Sequence, residues 1–184
     1  METRPKLHSC AITGHRPSRF VFRYDESDPR CGDLKKQIAA QLVRLYRRGC
    51  RRFWVGGALG VDMWATEALL ALRAQPEYAD IEVCLAVPFE GYDGRWNEAD
   101  RRRMAALRRA CQQVVVVTDG RGGAEDFLTR NRYMVDRADC LLAVFDGGRK
   151  RSGTSMTVRY AHEVRGLPVL AIHPDTLVVG TLHG

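Results

Sequence analysis

The stretch Phe53-Trp-Val-Gly-Gly-Ala-Leu-Gly-Val-Asp-Met-Trp-Ala-Thr-Glu67 decides the fold. It begins with a short apolar run that predicts a buried strand, continues through a glycine turn and ends in residues that favour a helix. Gly56, Gly57 and Gly60 allow positive φ and, having no Cβ, leave backbone N–H groups open to a ligand. The helix that follows points its free N–H groups and positive dipole end at the same place. The stretch therefore predicts a site for a phosphate or a carboxylate.

Apolar runs of strand length alternate with helical patterns along the rest of the chain. Strands are predicted over residues 7–13, 53–55, 81–87, 114–118, 139–145 and 169–172, and helices over 33–48, 62–74, 96–110, 127–137 and 154–164. Apolar strands that alternate with helices indicate a parallel sheet covered on both faces. We therefore predict an α/β fold: a three-layer, Rossmann-like, doubly wound sheet of about six mostly parallel strands. One domain is expected over residues 1–184, with no firm pattern in the tail from about residue 174.

The composition is that of an ordinary globular protein, with 45% hydrophobic and 28% charged residues, and does not indicate disorder. The longest apolar runs, such as 140–145, are too short to cross a membrane, and no apolar segment typical of a secretory signal follows the first basic residues. The six cysteines form no C-x-x-C pair and the five histidines show no H-x-x-H spacing, which disfavours disulfides and a structural zinc site. We expect a cytoplasmic protein with no membrane partner and no metal.

The formal net charge of +7 suits an anionic ligand or a nucleic acid, but the basic residues lie in separate clusters. These clusters fall at residues 47–52, 101–109 and 149–151. The second lies on the outer face of a predicted helix, where arginines are commonly just solvated. Because only the third adjoins a candidate ligand loop, net charge by itself carries little weight.

Ligands of doubly wound sheets bind beyond the carboxyl ends of the strands, near the point where the strand order reverses. The unusual residues of this chain fall in loops that follow the first, second, third and fifth predicted strands, and therefore at one edge of the sheet. This convergence predicts one ligand site built from several loops. The candidate ligand-binding residues are Gly14, His15, Arg16, Gly56, Gly57, Ala58, Gly60, Asp62, Pro88, Phe89, Glu90, Arg130, Asn131, Asp146, Gly147, Ser152, Gly153 and Thr154.

Several of these candidates also have a simpler structural interpretation. Asp62 could accept hydrogen bonds from ribose hydroxyls, or it could cap the helix that it begins. The hydroxyls of residues 152–155 suit a second phosphate, but Ser and Thr at a helix start are also ordinary caps. Arg130 could bind a phosphate or form a surface ion pair with Asp126. His15 could donate to a phosphate or could be a turn and packing residue.

The glycine turn differs from two common nucleotide-binding motifs. Its spacing is G-G-x-x-G after the second strand, whereas the dinucleotide fingerprint is G-x-G-x-x-G after the first strand and is followed by an acidic residue. This difference disfavours a standard NAD dehydrogenase, and the absence of G-x-x-x-x-G-K-[ST] excludes a P-loop ATPase. Phe89, Tyr92 and Trp96 could still stack a base, although aromatic residues at a strand end are more often the edge of the core.

With these residues assembled, the chain resembles the SLOG superfamily, in particular its YpsA-like branch of small stand-alone proteins. The matching segments are Ile12-Thr-Gly-His-Arg-Pro17, Gly56-Gly-Ala-x-Gly-x-Asp62, Val87-Pro-Phe-Glu90, Phe127-x-x-Arg-Asn131, Met134-Val-Asp136, Ala138-Asp139, Ser152-Gly-Thr154 and Tyr160-Ala161. The resemblance implies a Rossmann-like fold that binds a nucleotide or a nucleotide-derived ligand, often as a sensor. Relatives in the superfamily include the LOG phosphoribohydrolases, which cleave the base from cytokinin nucleotides, and the DNA-binding protein DprA.

The chain departs from the LOG enzymes at two positions. Those enzymes carry an Arg-Lys pair and a Gly-Gly-x-Gly-Thr-x-x-Glu segment; here Arg130 matches the arginine, Asn131 replaces the lysine and Thr157 replaces the glutamate. A threonine cannot act as a general base or stabilise an oxocarbenium-like centre as a carboxylate does. The resemblance therefore implies the phosphate cradle of the family without its hydrolase chemistry.

These observations lead to three hypotheses for function. The first is a non-catalytic sensor or regulatory protein that binds an ADP-ribose-like, NAD-like or mononucleotide ligand, with phosphates on residues 56–60 and 152–154, ribose near Asp62 or Asp146 and the base against Phe89. The second is a nucleotide-cleaving hydrolase that uses another carboxylate, such as Glu90, Asp62 or Asp146. The third, single-strand nucleic-acid binding, ranks last because the basic clusters are dispersed and are not interleaved with aromatic residues. A homodimer is possible by resemblance to the LOG proteins.

Overall fold

The structure is a computed structural model that describes residues 6–120, 122–148 and 151–182. Within these residues the chain forms a sheet of seven strands in the spatial order β4-β3-β2-β1-β5-β6-β7. The strands are β1 (Ser9–Gly14), β2 (Arg52–Val55), β3 (Glu82–Val87), β4 (Gln113–Val116), β5 (Cys140–Val144), β6 (Val169–Ile172) and β7 (Val179–Leu182). Every neighbouring pair is parallel except β6 and β7. The predicted α/β fold class is confirmed.

The seventh strand corrects the prediction of about six strands and of an unpatterned tail. Strand β7 pairs antiparallel with β6, with Val179 opposite Ile172. It has only four residues, most of them exposed, and it includes Gly180. Because a short edge strand with one glycine carries neither an apolar run nor clear alternation, its sequence gives no strand signal.

Five α-helices cover the sheet within the described residues. They are α1 (Pro29–Arg47), α2 (Val61–Arg73), α3 (Glu98–Ala110), α4 (Ala124–Val135) and α5 (Gly153–Arg159), the last continuing as a π-helical segment (Tyr160–Val164). Helix α1 begins four residues earlier than predicted, because the Asp28 carboxylate caps it by accepting from the N–H of Arg30 and Pro29 takes the first helical position.

The helices form two layers, one on each face of the sheet. Helices α1, α2 and α3 share one apolar core with alternate strand residues such as Ile12 and Phe53. Helices α4 and α5 share a second core with the residues that point the other way, such as Ala11 and Trp54. This three-layer arrangement is the one expected for strands that are buried on both faces.

Strand β1 lies at the point where the strand order reverses. The chain builds β2, β3 and β4 on one side of β1, and β5 and β6 on the other. The loops that leave the carboxyl end of this region therefore diverge and open a crevice, as in other doubly wound sheets. Among the described residues, none of the helices combines the length and apolar character needed to cross a membrane.

Candidate functional site

A cleft of about 870 Å³ opens at the carboxyl edge of the sheet. Its walls come from the loop after β1, the glycine turn after β2, the long loop after β3 and helix α4. Among the described residues, the predicted site residues that line it are Arg16, Ala58, Gly60, Phe89 and Arg130. The opening stretch thus contributes to the cleft, but as one of four walls.

A side chain from the first turn of α2 hydrogen bonds back to the glycine turn. The Asp62 carboxylate accepts a hydrogen bond of 3.1 Å from the N–H of Ala58 and is only 7% exposed. Burial raises the pKa of Asp62, while the positive charge of Arg130 opposes this shift. Asp62 therefore occupies one of the N–H groups that a phosphate was expected to use, which favours its helix-start interpretation over a ribose contact.

Positive φ is required at two positions of this turn. Gly57 has φ +71° and no Cβ, which leaves room for the Tyr92 hydroxyl to donate to its carbonyl at 2.8 Å. Gly60 has φ +87° and lies against Pro17, where a Cβ would approach the proline ring to 2.9 Å. Glycine at both positions is thus explained by turn geometry and close packing.

Arg130 is the buried cation of the cleft, with 4% of its surface exposed. Its Nη1 donates to the carbonyls of Gly56 and Ala86, and its Nε donates to the side chain of Asn131 at 2.8 Å. No described residue accepts a hydrogen bond from Nη2, which leaves that group available at the cleft wall. Burial lowers the pKa of this guanidinium, although arginine stays charged in proteins. The alternative of a surface ion pair does not apply to a side chain this deeply buried.

Two guanidinium groups share the ring of Phe127. The Arg16 guanidinium carbon lies 5.3 Å from the ring centroid and that of Arg130 lies 5.8 Å from it. Phe89 packs edge-on against the same ring with centroids 5.9 Å apart. Cation–π attraction holds the two positive charges close together, and we call the group of Arg16, Phe89, Phe127 and Arg130 the inner group.

Other predicted site residues lie outside the cleft and pair with one another. His15 is buried, and its Nε2 lies 3.2 Å from Asp146. Burial lowers the pKa of His15, and the Gly148 N–H, which donates to Asp146 at 2.9 Å, lowers the pKa of that carboxyl. Gly147 takes φ +71° in the same turn. This pair fastens the loop after β5 to the loop after β1.

The residues after β3 divide between the cleft and the surface. The Pro88 carbonyl accepts hydrogen bonds from the N–H and hydroxyl of Thr118. Glu90 forms an exposed ion pair with Arg108 at 2.6 Å, and that contact lowers the pKa of the Glu90 carboxyl. Neither residue lines the cleft.

The hydroxyl segment at the start of α5 is a capping box. The Ser152 hydroxyl accepts from the N–H of Ser155 at 3.0 Å, and the Ser155 hydroxyl accepts from the N–H of Ser152 at 2.8 Å. Thr154 is buried, and the Gly153 carbonyl accepts from the hydroxyl of Thr157. Two members of the adjoining basic cluster, residues 149 and 150, lie outside the described residues. The contacts favour the capping interpretation, and phosphate binding by residues 152–154 stays a prediction.

The two positions that differ from the LOG enzymes face each other. The Asn131 amide donates to the Thr157 hydroxyl at 2.9 Å. Both side chains line a small cavity of about 200 Å³ between α4 and α5, separate from the main cleft. A neutral hydrogen-bonded pair thus stands where those relatives carry a lysine and a glutamate.

The cleft residues that were not among the candidates include Arg23, Tyr24, Arg95 and Phe127. The first two lie before α1, and Arg95 lies beside Trp96 in the loop after β3. Two arginine–aromatic dipeptides, 23–24 and 95–96, are the signal that could have identified them, because each puts a charge and a stacking surface in a loop at the ligand edge. The sequence predicted Phe127 only as the start of a helix. Its ring in fact contacts the guanidinium groups of both Arg16 and Arg130.

The amino-acid sequence matches one protein family over nearly its whole length. The profile of the YspA SLOG family matches residues 10–177. UPF0398 protein YpsA of Bacillus subtilis (strain 168) is 30% identical over 173 residues, covering 92% of this chain and 94% of that protein. A UPF0398 protein of Bacillus licheniformis is 27% identical over 173 residues, with 92% of each chain covered.

Solved structures of a DNA-processing protein share the fold. DprA of Streptococcus pneumoniae superposes with a TM-score of 0.60 at 20% identity, covering 91% of this chain and 51% of that one. DprA of Helicobacter pylori, described for its single-stranded DNA binding mode, superposes with a TM-score of 0.57 at 21% identity, covering 89% of this chain and 64% of that one. The chain thus spans about half to two thirds of the DprA chains. The resemblance to the YpsA-like branch is confirmed, and the chain belongs to the YspA SLOG family.

Proposed function

We propose that this protein binds a phosphorylated, nucleotide-derived ligand in the main cleft and acts as a sensor or regulatory protein. The ligand class is an ADP-ribose-like or NAD-like molecule or a mononucleotide. The observation that carries the proposal is the inner group, in which Arg16 and the buried Arg130 both lie against Phe127. Charge-assisted hydrogen bonds from two guanidinium groups suit a phosphate, and the neighbouring rings suit a base.

The contacts of the candidate catalytic groups support binding without cleavage. Asp62 is engaged with its own turn, Glu90 with Arg108 and Asp146 with His15. None of these three carboxylates lines the cleft, and the position of the LOG glutamate is a threonine. The carboxylates that do line it are also engaged, Glu26 with Arg103 and Lys35 and Asp100 with the amide of Asn97. Cleavage of a glycosidic bond needs a carboxyl group beside the reacting carbon. A hydrolase with a different carboxylate remains the alternative, and release of free base from a nucleotide by the purified protein would establish it.

A second candidate function is binding of single-stranded nucleic acid. Arginines and aromatic residues share the cleft wall, since residues 23–24 and 95–96 both line it. Such a mixture of stacking surfaces and positive charge is typical of single-strand binding grooves. The fold is also shared with DprA of Helicobacter pylori, whose structure is described for binding single-stranded DNA. Gel shifts that weaken steeply with salt would favour this function.

A thermal-shift panel with ADP-ribose, NAD and mononucleotides tests the proposal. At ligand concentrations near 100 times the dissociation constant, the melting temperature of the wild-type protein should rise by about 5 °C or more. Arg16→Ala should abolish the rise, because it removes one of the two phosphate-binding guanidinium groups. Arg101→Ala is the matched control: it removes the same charge from an exposed position on α3 whose side chain forms no hydrogen bond or ion pair with a described residue.

Two results would contradict the proposal. One is a wild-type protein whose melting temperature responds to none of these compounds. The other is an Arg16→Ala variant that responds as strongly as Arg101→Ala, since binding would then not involve the inner group.

A further inference from the structure

The cleft continues beyond the inner group to a second set of aromatic and charged side chains. We call this set the outer group: Arg23, Tyr24, Arg95, Trp96 and Asp100. The volume of about 870 Å³ lies near the upper end of the range of roughly 300–1,000 Å³ that is usual for small-molecule pockets. The cleft is therefore larger than one phosphate and one base require.

Side-chain contacts give the order of the groups along one wall. The Tyr92 hydroxyl donates to Gly57 in the glycine turn, and the Tyr92 ring packs edge-on against Trp96 with centroids 5.6 Å apart. Trp96 is thus separated from the turn by the length of the Tyr92 side chain. Asp100 lies one helical turn further along, where its N–H donates to Asn97 at the start of α3. On this wall the outer group therefore begins at Trp96, which Tyr92 separates from the glycine turn.

Ion pairs fix the segment that carries Tyr24 against α3 and α1. Glu26 accepts from Arg103 of α3 at 2.7 Å and from Lys35 of α1 at 2.5 Å. These contacts, despite the desolvation of the carboxyl, lower the pKa of Glu26 to about 2, so the bridge is formed at neutral pH. Arg103 and Asp100 are three residues apart on one face of α3. The ion pair of Glu26 with Arg103 therefore holds the segment that carries Tyr24 close to Asp100.

Tyr24 has the features of an unfilled stacking surface. It is 63% exposed, and its ring makes no aromatic or cation–π contact with the described residues. Arg23, the residue before it, has φ +49°, a left-handed conformation that is unfavourable for a long side chain. Strained backbone of this kind clusters at ligand sites. An exposed ring on a strained, ion-paired segment is poorly explained by packing.

The charges of the two groups differ. Each group contains two arginines, but the outer group also brings a carboxylate, Asp100, to the cleft, whereas Asp62, the acid that interacts with Arg130, does not line it. A carboxylate repels phosphate but accepts hydrogen bonds from the amino groups of a base. Phosphate is therefore favoured at the inner end and a base at the outer end.

We propose that the ligand carries two bases joined through phosphate groups, with one base against the inner group and the second stacked on Tyr24 in the outer group. This inference rests on the proposed function and deepens it. The joining group is either a pyrophosphate, as in a dinucleotide cofactor, or a phosphodiester, as in a short nucleic acid. Both present two flat rings with negative charge between them, two charges on a pyrophosphate and one on a phosphodiester.

The test compares matched ligands by titration calorimetry on the full chain. AMP and ADP-ribose carry one base, and NAD and the 5′-phosphorylated dinucleotide pApA carry two flat bases. We expect NAD or pApA to bind the wild-type protein at least about tenfold more tightly than AMP and ADP-ribose, the gain expected from one stacked base. Whether NAD or pApA gains more identifies the joining group, and either gain supports the inference.

Variants of Tyr24 separate the outer group from the inner group. Tyr24→Ala should remove most of the gain for the two-base ligand and leave AMP binding within about twofold. Tyr24→Phe keeps the ring and should keep the gain, and neither change should perturb folding, because the side chain is exposed.

The results that overturn the inference differ from those that overturn the proposed function. If wild-type protein binds AMP and ADP-ribose as tightly as NAD and pApA, the second base has no site, although nucleotide binding stands. If Tyr24→Ala weakens all ligands equally, Tyr24 does not form a separate outer site. If the wild-type protein binds none of the four, the proposed function fails and the inference fails with it.

Discussion

Replacing Arg130 with methionine is expected to lower the free energy of unfolding by about 3 kcal/mol, because it removes a buried, charged hydrogen-bond donor and its attraction for the buried Asp62 carboxylate. The Arg130 guanidinium and the Asp62 carboxylate both lie within 3 Å of the point where a Gly56 Cβ would stand. Methionine fills much of the volume but removes the charge that most favours the ionised Asp62 carboxylate and leaves the Gly56 carbonyl without its donor.

Urea denaturation monitored by tryptophan fluorescence measures this loss. Arg132→Met is the control, because Arg132 is on the same helix but is exposed, with a 3.5 Å ion pair to Glu125 and a cation–π contact to Tyr160. Adding Asp62→Asn to Arg130→Met should recover part of the stability, since the amide needs no counter-charge. Equal stability of the two methionine variants, or no recovery in the double variant, would show that the charge of Arg130 does not stabilise the buried Asp62.

The second large effect is expected for Gly14→Ala. A Cβ at Gly14 would lie 2.5–2.7 Å from three carbons of Val61, the first residue of α2. Because one of those carbons is the Val61 Cβ, side-chain rotation cannot relieve the overlap and α2 must move away from β1. Overpacking of this kind costs typically 1–3 kcal/mol, and we expect about 2 kcal/mol or more.

Gly180→Ala is the matched control for this substitution. Gly180 is also in a strand, and an added Cβ there has no atom within 4 Å. The melting temperature of the Gly180→Ala variant, measured by calorimetry, should stay close to that of the wild type, while that of Gly14→Ala falls by several degrees. Equal melting temperatures would contradict the close approach of α2 to β1. Gly14 was predicted to contact the ligand, and the structure gives it a packing role that needs no ligand.

The architecture was largely predictable, because most strands are buried on both faces and most helices have one apolar face. Strand β6 lies at residues 169–172, the range predicted from its apolar run. The predictions were wrong at elements whose position does not depend on a buried apolar face. Strand β7 is an exposed edge, and the start of α1 depends on the cap at Asp28 and not on periodicity.

The site was predictable as a place more than as a set of side chains. The rule that carboxyl ends of parallel strands share an edge brings the loops after β1, β2 and β3 to the cleft. It does not tell which way a side chain points, and so His15 and Asp146 proved to bind each other. Tyr24 was missed because it stands in a polar, turn-rich segment whose position beside α3 depends on the distant pair of Glu26 and Arg103.

The Asn131–Thr157 pair clarifies the relation to the LOG enzymes. A single glutamate-to-threonine difference would leave a lysine without its partner, whereas here both positions are neutral and hydrogen bond to each other. The pair is therefore a self-consistent replacement. Arg130 meanwhile keeps its place beside the glycine turn. This combination is consistent with the proposal that the protein holds a nucleotide without cleaving it.

Mass spectrometry of the small molecules released from purified protein tests nucleotide binding most directly. Wild-type protein and the Arg101→Ala control should release a compound that contains both a base and a phosphate, and Arg16→Ala should release little or none of it. Recovery of the same compounds in the same yield from all three proteins, or of no compound that contains a base, would contradict nucleotide binding at the inner group.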